Sequence, residues 1–326
     1  MNGDSVSRAL DFLQRNQLDY GEFRTLAAAD PEMAGECRFD STPFITALIL
    51  YSLDFVPDPR AKTMVEKGLD FLLSEVEGPG LWRYWSSRNP QHEGLQPDLD
   101  VIGCVSQILW CHGREFPDNR EFLLATRDAQ GLFYTYMVPR PTTPPALRSE
   151  IGRLVSPESL FKLLAAGMLH EVDAVVNANV LLYLGEIPET EAALAYLLEV
   201  VRNKGEATCS KYYRDPWIVY YMFSRAFFAG VTGLAAARES ILERLTAEAA
   251  MPGALEPPLR AALGACTLLN FGEGGPLLAE SIRRIETTQQ ADGSWSRRPF
   301  YIGPAPYYGS EELTTGFCVE ALCRSR

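Results

Sequence analysis

Two acids stand at the head of an apolar run: Asp98 and Asp100, flanking Leu99 in PDLDVIGCVSQIL. A carboxyl group buried in an apolar cavity has its charged form disfavoured. Its pKa rises, it stays protonated at neutral pH, and it can hand a proton to an alkene. Asp98 directly follows Pro97 and reads as a helix N-cap, its oxygen accepting a backbone N–H of the first turn. Asp100 falls inside that turn. Cys104, Gln107 and Cys111 follow it at i+4, i+7 and i+11, while Val101, Val105, Ile108 and Leu109 supply packing. A small, polar stripe on an otherwise apolar helix predicts a face lining a cavity, and makes Asp100 the candidate general acid. The plainer reading is that Asp100, too, answers the positive end of the helix dipole.

Other residues could line such a cavity. Asp173 and Asn177, one turn apart, make a similar polar pair, and Thr314 sits near the start of another apolar run. Aromatic faces stabilise cations and build apolar walls. Those expected near the same end are Trp82, Tyr84, Trp85, Tyr134, Tyr136, Tyr212, Tyr213, Trp217, Tyr220, Tyr221, Phe300, Tyr301, Tyr307 and Tyr308. Of these, Trp217 with Tyr220 or Tyr221, in the first turns of a helix, are the leading lining candidates. Three histidines, His92, His112 and His170, and no paired cysteines make a metal site unexpected. The sequence has no nucleophile elbow, phosphate-cradling loop or H-E-x-x-H, so no cofactor is expected.

The elements that must position these groups are helices. Period-2 alternation is nearly absent, and 3.6-residue periodicity runs through all 326 residues. About twelve helices are predicted, near 4–16, 40–54, 60–75, 98–112, 117–127, 171–185, 189–202, 214–229, 232–248, 256–270, 275–290 and 309–324. Two kinds alternate. One is apolar on every face, as in DAVVNANVLLYLG (173–185) and DPWIVYYMFSRAF (215–227), and must be buried on every face. The other carries a charged stripe, as in RAKTMVEKGLDFLLSEV (60–76). Six inner helices within six outer ones describe an all-α (α/α)6 barrel, one domain over residues 1–326. The turns QLDYGEF (17–23), EGPGLWRYW (77–85), AQGLFYTY (129–136) and QQADGSW (289–295) each give a glycine and then an aromatic, a structural pattern that stops one helix and covers the hairpin edge. Residues 137–160 break the rhythm, with prolines at 139, 141, 144 and 145. They predict an extended loop, either a lid over one end or a surface excursion.

The formal net charge of −12 disfavours nucleic acid and anionic lipid as partners. No stretch approaches the roughly 20 apolar residues of a membrane span. Seven scattered cysteines and no signal-peptide pattern predict a reducing cytoplasm.

QQADGSW fits the Q-x3-G-x-W turn of the squalene–hopene cyclase and prenyltransferase repeat, and QLDYGEF is a degenerate copy. GSEELTTGFCVEAL (309–322) resembles the helix after the last such turn in those proteins. The chain thus resembles the terpene cyclase and prenyltransferase type of α/α barrel. Class II terpene cyclases carry D-x-D-D at the start of an inner helix, and the middle aspartate protonates an alkene or epoxide. Asp98-Leu99-Asp100-Val101 matches the first three positions, with Asp100 in the donor's place and Val101 where the fourth acid stands. The resemblance implies a cyclase-like enzyme, an isomerase or lyase acting on an isoprenoid or related polyene. The family usually places its site between two barrels. With one, the mouth requires cover from the 137–160 loop or from a second subunit, a homo-oligomer included. The single-barrel prenyltransferase subunit binds zinc through an Asp-x-Cys pair, which this sequence lacks. The other reading is a barrel without catalysis that binds an apolar ligand or a partner protein. The position of Asp100, in an enclosed aromatic cavity or on a rim, discriminates between the two.

Overall fold

The computed structural model describes residues 2–302 and 306–326. Among them are fourteen helices: α1 (Asn2–Asn16), α2 (Pro43–Leu53), α3 (Pro59–Ser74), α4 (Leu99–Cys111), α5 (Arg120–Leu124), α6 (Pro145–Leu154), α7 (Pro157–Ala165), α8 (Ala174–Leu184), α9 (Glu191–Arg202), α10 (Pro216–Phe228), α11 (Arg238–Ala249), α12 (Pro258–Asn270), α13 (Pro276–Thr288) and α14 (Glu311–Arg324). Four short strands, β1 (Leu26–Ala28), β2 (Cys37–Phe39), β3 (Tyr301–Ile302) and β4 (Tyr307–Gly309), form one antiparallel sheet in the order β2-β1-β4-β3. The chain is mostly helical but not all-α. Strands of two or three residues are too short to show alternation in sequence.

The apolar helices behave as their sequences require. In α2, α4, α8, α10, α12 and α14 nearly every residue is buried. Helix α2 packs on α4, α4 on α8, α8 on α10, α10 on α12, α12 on α14, and α14 returns to α2. Side-chain N-caps start most of them: Thr42, Asp98, Asp173, Asp215 and Ser310 each accept a first-turn backbone N–H. Each such cap stabilises by about 1 kcal/mol. Helices α4 and α8 approach closely, and a Cβ on Gly103 would stand 2.7 Å from the Asn179 carbonyl oxygen.

The glycine–aromatic turns tie inner and outer helices together. Trp82 Nε1 donates to the Leu72 carbonyl at 2.8 Å, and Trp295 Nε1 to that of Ile285 at 2.7 Å. Gln17 and Gln289 each donate to the carbonyl of the glycine four residues on. Trp82 is therefore a fully buried tie, not a cavity wall.

Residues 137–160 are not a continuous extended loop. They hold α6 and the start of α7, because Pro145 and Pro157 occupy first helical positions, where the missing N–H costs nothing. Helix α7 packs on the short 3-10 turn His92–Gly94. Its Leu163 belongs to a small apolar cluster with Tyr136 and Val138, separate from the main core. No described helix is long and apolar enough to cross a membrane.

Candidate active site

The first turns of α2, α4 and α8 contribute Phe44, Asp100, Val101 and Val176 to the wall of a cavity of about 190 Å³. Asp98, the cap of α4, lies in the same wall. The rest of the wall comes from loops and from the sheet. Tyr84, Trp85 and Leu95 precede α4, Thr135 and Tyr136 come from the turn after α5, Met168 follows α7, and Tyr212 and Tyr213 precede α10. Tyr301, Ile302 and Tyr308 belong to β3 and β4. The lining is dominated by aromatic rings, and its two acids are Asp98 and Asp100.

These acids differ in their partners. Asp100 uses both oxygens: Oδ1 accepts from Asn179 Nδ2 and Oδ2 accepts from the Tyr213 hydroxyl. The Asn179 amide oxygen in turn accepts from Arg225 Nη2 at 2.5 Å. Arg225 is buried, its guanidinium 5.2 Å from the Tyr51 ring centre and within 3.2 Å of Cys104 Sγ. Burial raises the Asp100 carboxyl above its usual value, while Tyr213, Asn179 and the Arg225 charge hold it back. Asp98 is less supported. Its donors are backbone groups, the Asp100 N–H at 2.8 Å on Oδ1 and the neighbouring Val101 N–H, and among the described residues no side chain donates to it. Burial, with the Asp100 charge added, pushes its carboxyl well above the usual range. Two like charges this close do not both ionise in an apolar wall. The Tyr213 and Asn179 donors favour the charge on Asp100, and burial without side-chain donors favours the proton on Asp98. Thr135 Oγ1, in the same wall, is buried and unpartnered among the described residues.

Of the residues singled out from sequence, Asp98, Asp100, Trp85 and Tyr308 meet in this cavity, as do Tyr84, Tyr136, Tyr212, Tyr213 and Tyr301. The others are used elsewhere. Trp217 Nε1 and the Tyr220 hydroxyl both donate to Glu248 on α11, so these rings wedge α10 against its neighbour. Tyr221 donates to Glu320 deep among the inner helices. Cys104 lies one turn along α4 beside Arg225. Asp173 caps α8 and accepts from Ser210, Asn177 pins the backbone of Phe133, and Thr314 donates to the Ser310 carbonyl. Missed entirely were Asn179 and Arg225, which hold Asp100. Their signal was present, a lone cation and a second asparagine inside apolar helices. Such groups are buried only with partners.

Among the described residues no group of three or more His, Cys, Asp or Glu could hold a metal ion. No family model matches the sequence. No curated protein matches it either. Over its whole length the chain superposes on 99% of the crystal structure of a protein from Actinoplanes, with a TM-score of 0.74 and 20% identity. That likeness shows a shared fold.

Proposed function

We propose that this is a single (α/α)6 barrel of the terpene cyclase type, which protonates an apolar alkene and so starts an isomerisation or cyclisation. The closed order of packing from α2 round to α14 and back supports the barrel. One observation carries the chemistry: Asp98 stands in the wall of an aromatic cavity with backbone donors alone, and its burial beside Asp100 favours the protonated form. The acid role moves from Asp100 to Asp98. Asp100 already accepts two hydrogen bonds and is balanced by Arg225 through Asn179, so it keeps the pair singly charged and Asp98 protonated. Proton transfer from Asp98 to an alkene carbon leaves a carbocation facing the rings of Trp85, Tyr136 and Tyr301, which stabilise it.

The cavity, about 190 Å³, is somewhat larger than the ~150 Å³ void that holds a benzene. By that measure ten carbons of an isoprenoid are about its upper limit. Thr135 Oγ1 offers one hydrogen bond to a hydroxyl or carbonyl on that ligand. Seven free cysteines agree with a reducing cytoplasm.

The test is incubation with geraniol, citronellal and geranyl diphosphate, with products read by gas chromatography and mass spectrometry. Wild type forms an isomerised or cyclised product, Asp98→Asn forms none, and Asp100→Asn is impaired but not silent. Product from Asp98→Asn at the wild-type rate overturns the acid assignment. A second reading, apolar-ligand binding without chemistry, draws on Val101. This apolar side chain lines the cavity where the resemblance expects a further acid. Quenching of Trp85 fluorescence by the same compounds, without turnover, favours it.

A further inference from the structure

A cation made in the cavity must lose a proton to end as an alkene, and the wall holds a route for that proton on its other side. Asp40 lies just outside the lining, between β2 and α2. Its carboxylate receives three donors: Asn89 Nδ2 at 3.0 Å, Trp85 Nε1 at 3.2 Å and the Tyr84 hydroxyl at 3.2 Å. Three donors on two oxygens favour the ionised carboxylate, because a protonated one must itself donate, and they oppose the burial that raises it. The Tyr84 hydroxyl also meets the Tyr301 hydroxyl at 2.6 Å. Tyr84 has one proton, and it points to Asp40. Tyr301 is therefore the donor of that second bond, and its oxygen keeps a lone pair on the cavity side.

We propose that Tyr301, Tyr84 and Asp40 form the proton outlet of the reaction, with Tyr301 accepting a proton from the final cation. This rests on the acid chemistry proposed above. The C–H bonding pair of the cation becomes the π pair of the new double bond. That proton goes to Tyr301 Oη, the Tyr301 proton passes to Tyr84 Oη, and the Tyr84 proton passes to Asp40 Oδ2. Cation and carboxylate become alkene and carboxylic acid, so charge is conserved. Over one turnover a proton moves from Asp98 to Asp40, and exchange with water restores both.

Neither phenol ionises on its own. Burial raises both well above the usual tyrosine range, and for Tyr84 the neighbouring tyrosine and Asp40 add to the effect. They relay protons only as neutral hydroxyls backed by a carboxylate. Asp40 acts through Tyr84 and is a positioning residue by that measure. Tyr301, stacked on Tyr308 with ring centres 5.0 Å apart, lines the cavity beside Tyr84 and is the end of the relay farther from Asp40.

The experiment uses the full chain with the same three probes in deuterated water. It compares wild type with Tyr84→Phe, Asp40→Asn and Tyr301→Phe. Incorporation of one solvent deuterium reports protonation of the substrate, and the ratio of alkene to water-captured alcohol reports the final step. Each variant still incorporates deuterium, while its alkene-to-alcohol ratio falls about tenfold or more. An unchanged ratio in folded Tyr84→Phe and Asp40→Asn overturns the outlet and leaves the acid assignment standing. A wild-type protein that converts none of the probes overturns both. Isotope-edited infrared spectroscopy needs no substrate: Asp40→Asn removes a carboxylate band at neutral pH. Loss of a protonated-carboxyl band instead overturns the proposal.

Discussion

Asp100 and Asn179, 79 residues apart in the chain, are joined by a hydrogen bond between neighbouring inner helices. The same amide reaches Arg225 with its oxygen. A carboxylate and a guanidinium are thus coupled through a neutral group, without a direct ion pair. The arrangement favours the charged form of Asp100 against the burial that opposes it.

Asn179→Leu removes both bonds at once and strands two buried polar groups. We expect a loss of about 3 kcal/mol of stability, read as a lower urea midpoint with an unchanged m-value. Substitution by Asp puts a second acid beside Asp100 but restores a partner for Arg225, so its cost is expected to be smaller at low pH than at high pH.

Gly103→Ala tests the α4–α8 approach. Its methyl group would meet the Asn179 backbone oxygen at 2.7 Å and carbonyl carbon at 2.9 Å, and neither can step aside without moving α8. The expected cost is roughly 1–3 kcal/mol. Because the helices separate at Asn179, the Asp100 bond loosens too, and activity falls more than the melting temperature alone would suggest.

Stability depends on pH through buried acids. Burial raises Glu22 and Asp173 to about 7, against the hydrogen bonds that each receives. Burial likewise raises Glu312 to about 7. The folded protein holds these protons to a higher pH than the unfolded chain does. Their contribution is complete below the unfolded pKa, about 4, and is lost as pH rises through the folded value. Thermal scans should give a melting temperature that falls from about pH 5 to about pH 7.5 and then levels. Glu22→Gln should remove a part of that slope worth roughly 3 kcal/mol. A slope identical to wild type would refute the assignment.

The α6–α7 segment should be the first to open. Its Leu163 packs in a cluster of its own with Tyr136 and Val138, and Phe161 and Leu164 stand 69% and 59% exposed. Hydrogen exchange followed by mass spectrometry is expected to label residues 145–165 well before α4 or α8. A ligand in the cavity, touching Tyr136 and Met168, should slow that labelling.

The inner helices were legible because an all-round apolar helix has one solution, burial on every side. Asp98 was legible as a cap from Pro97 and the apolar run behind it. Trp217 and Tyr220 were misread for an equally physical reason. Period alone does not say whether an aromatic face points to the other apolar helices or to a charged one, and Glu248 on α11 decides for the latter. The sheet left no trace, since β3 has two residues and the other strands three. Much of the cavity wall comes from loops brought together only by the tertiary fold, and Leu95 and Met168 carry no mark in sequence.

The sheet also sets an order of events. Strands β1 and β4 pair residues 26–28 with 307–309, so Tyr308 is held against the cavity by a stretch far upstream in the chain. Asp98 and Asp100 sit together at the start of α4, and the bond from Asp100 to Asn179 of α8 spans 79 residues, far less than the span from β1 to β4. A growing chain can join α4 to α8 before β4 is made, so enclosure of the cavity becomes a late milestone of folding.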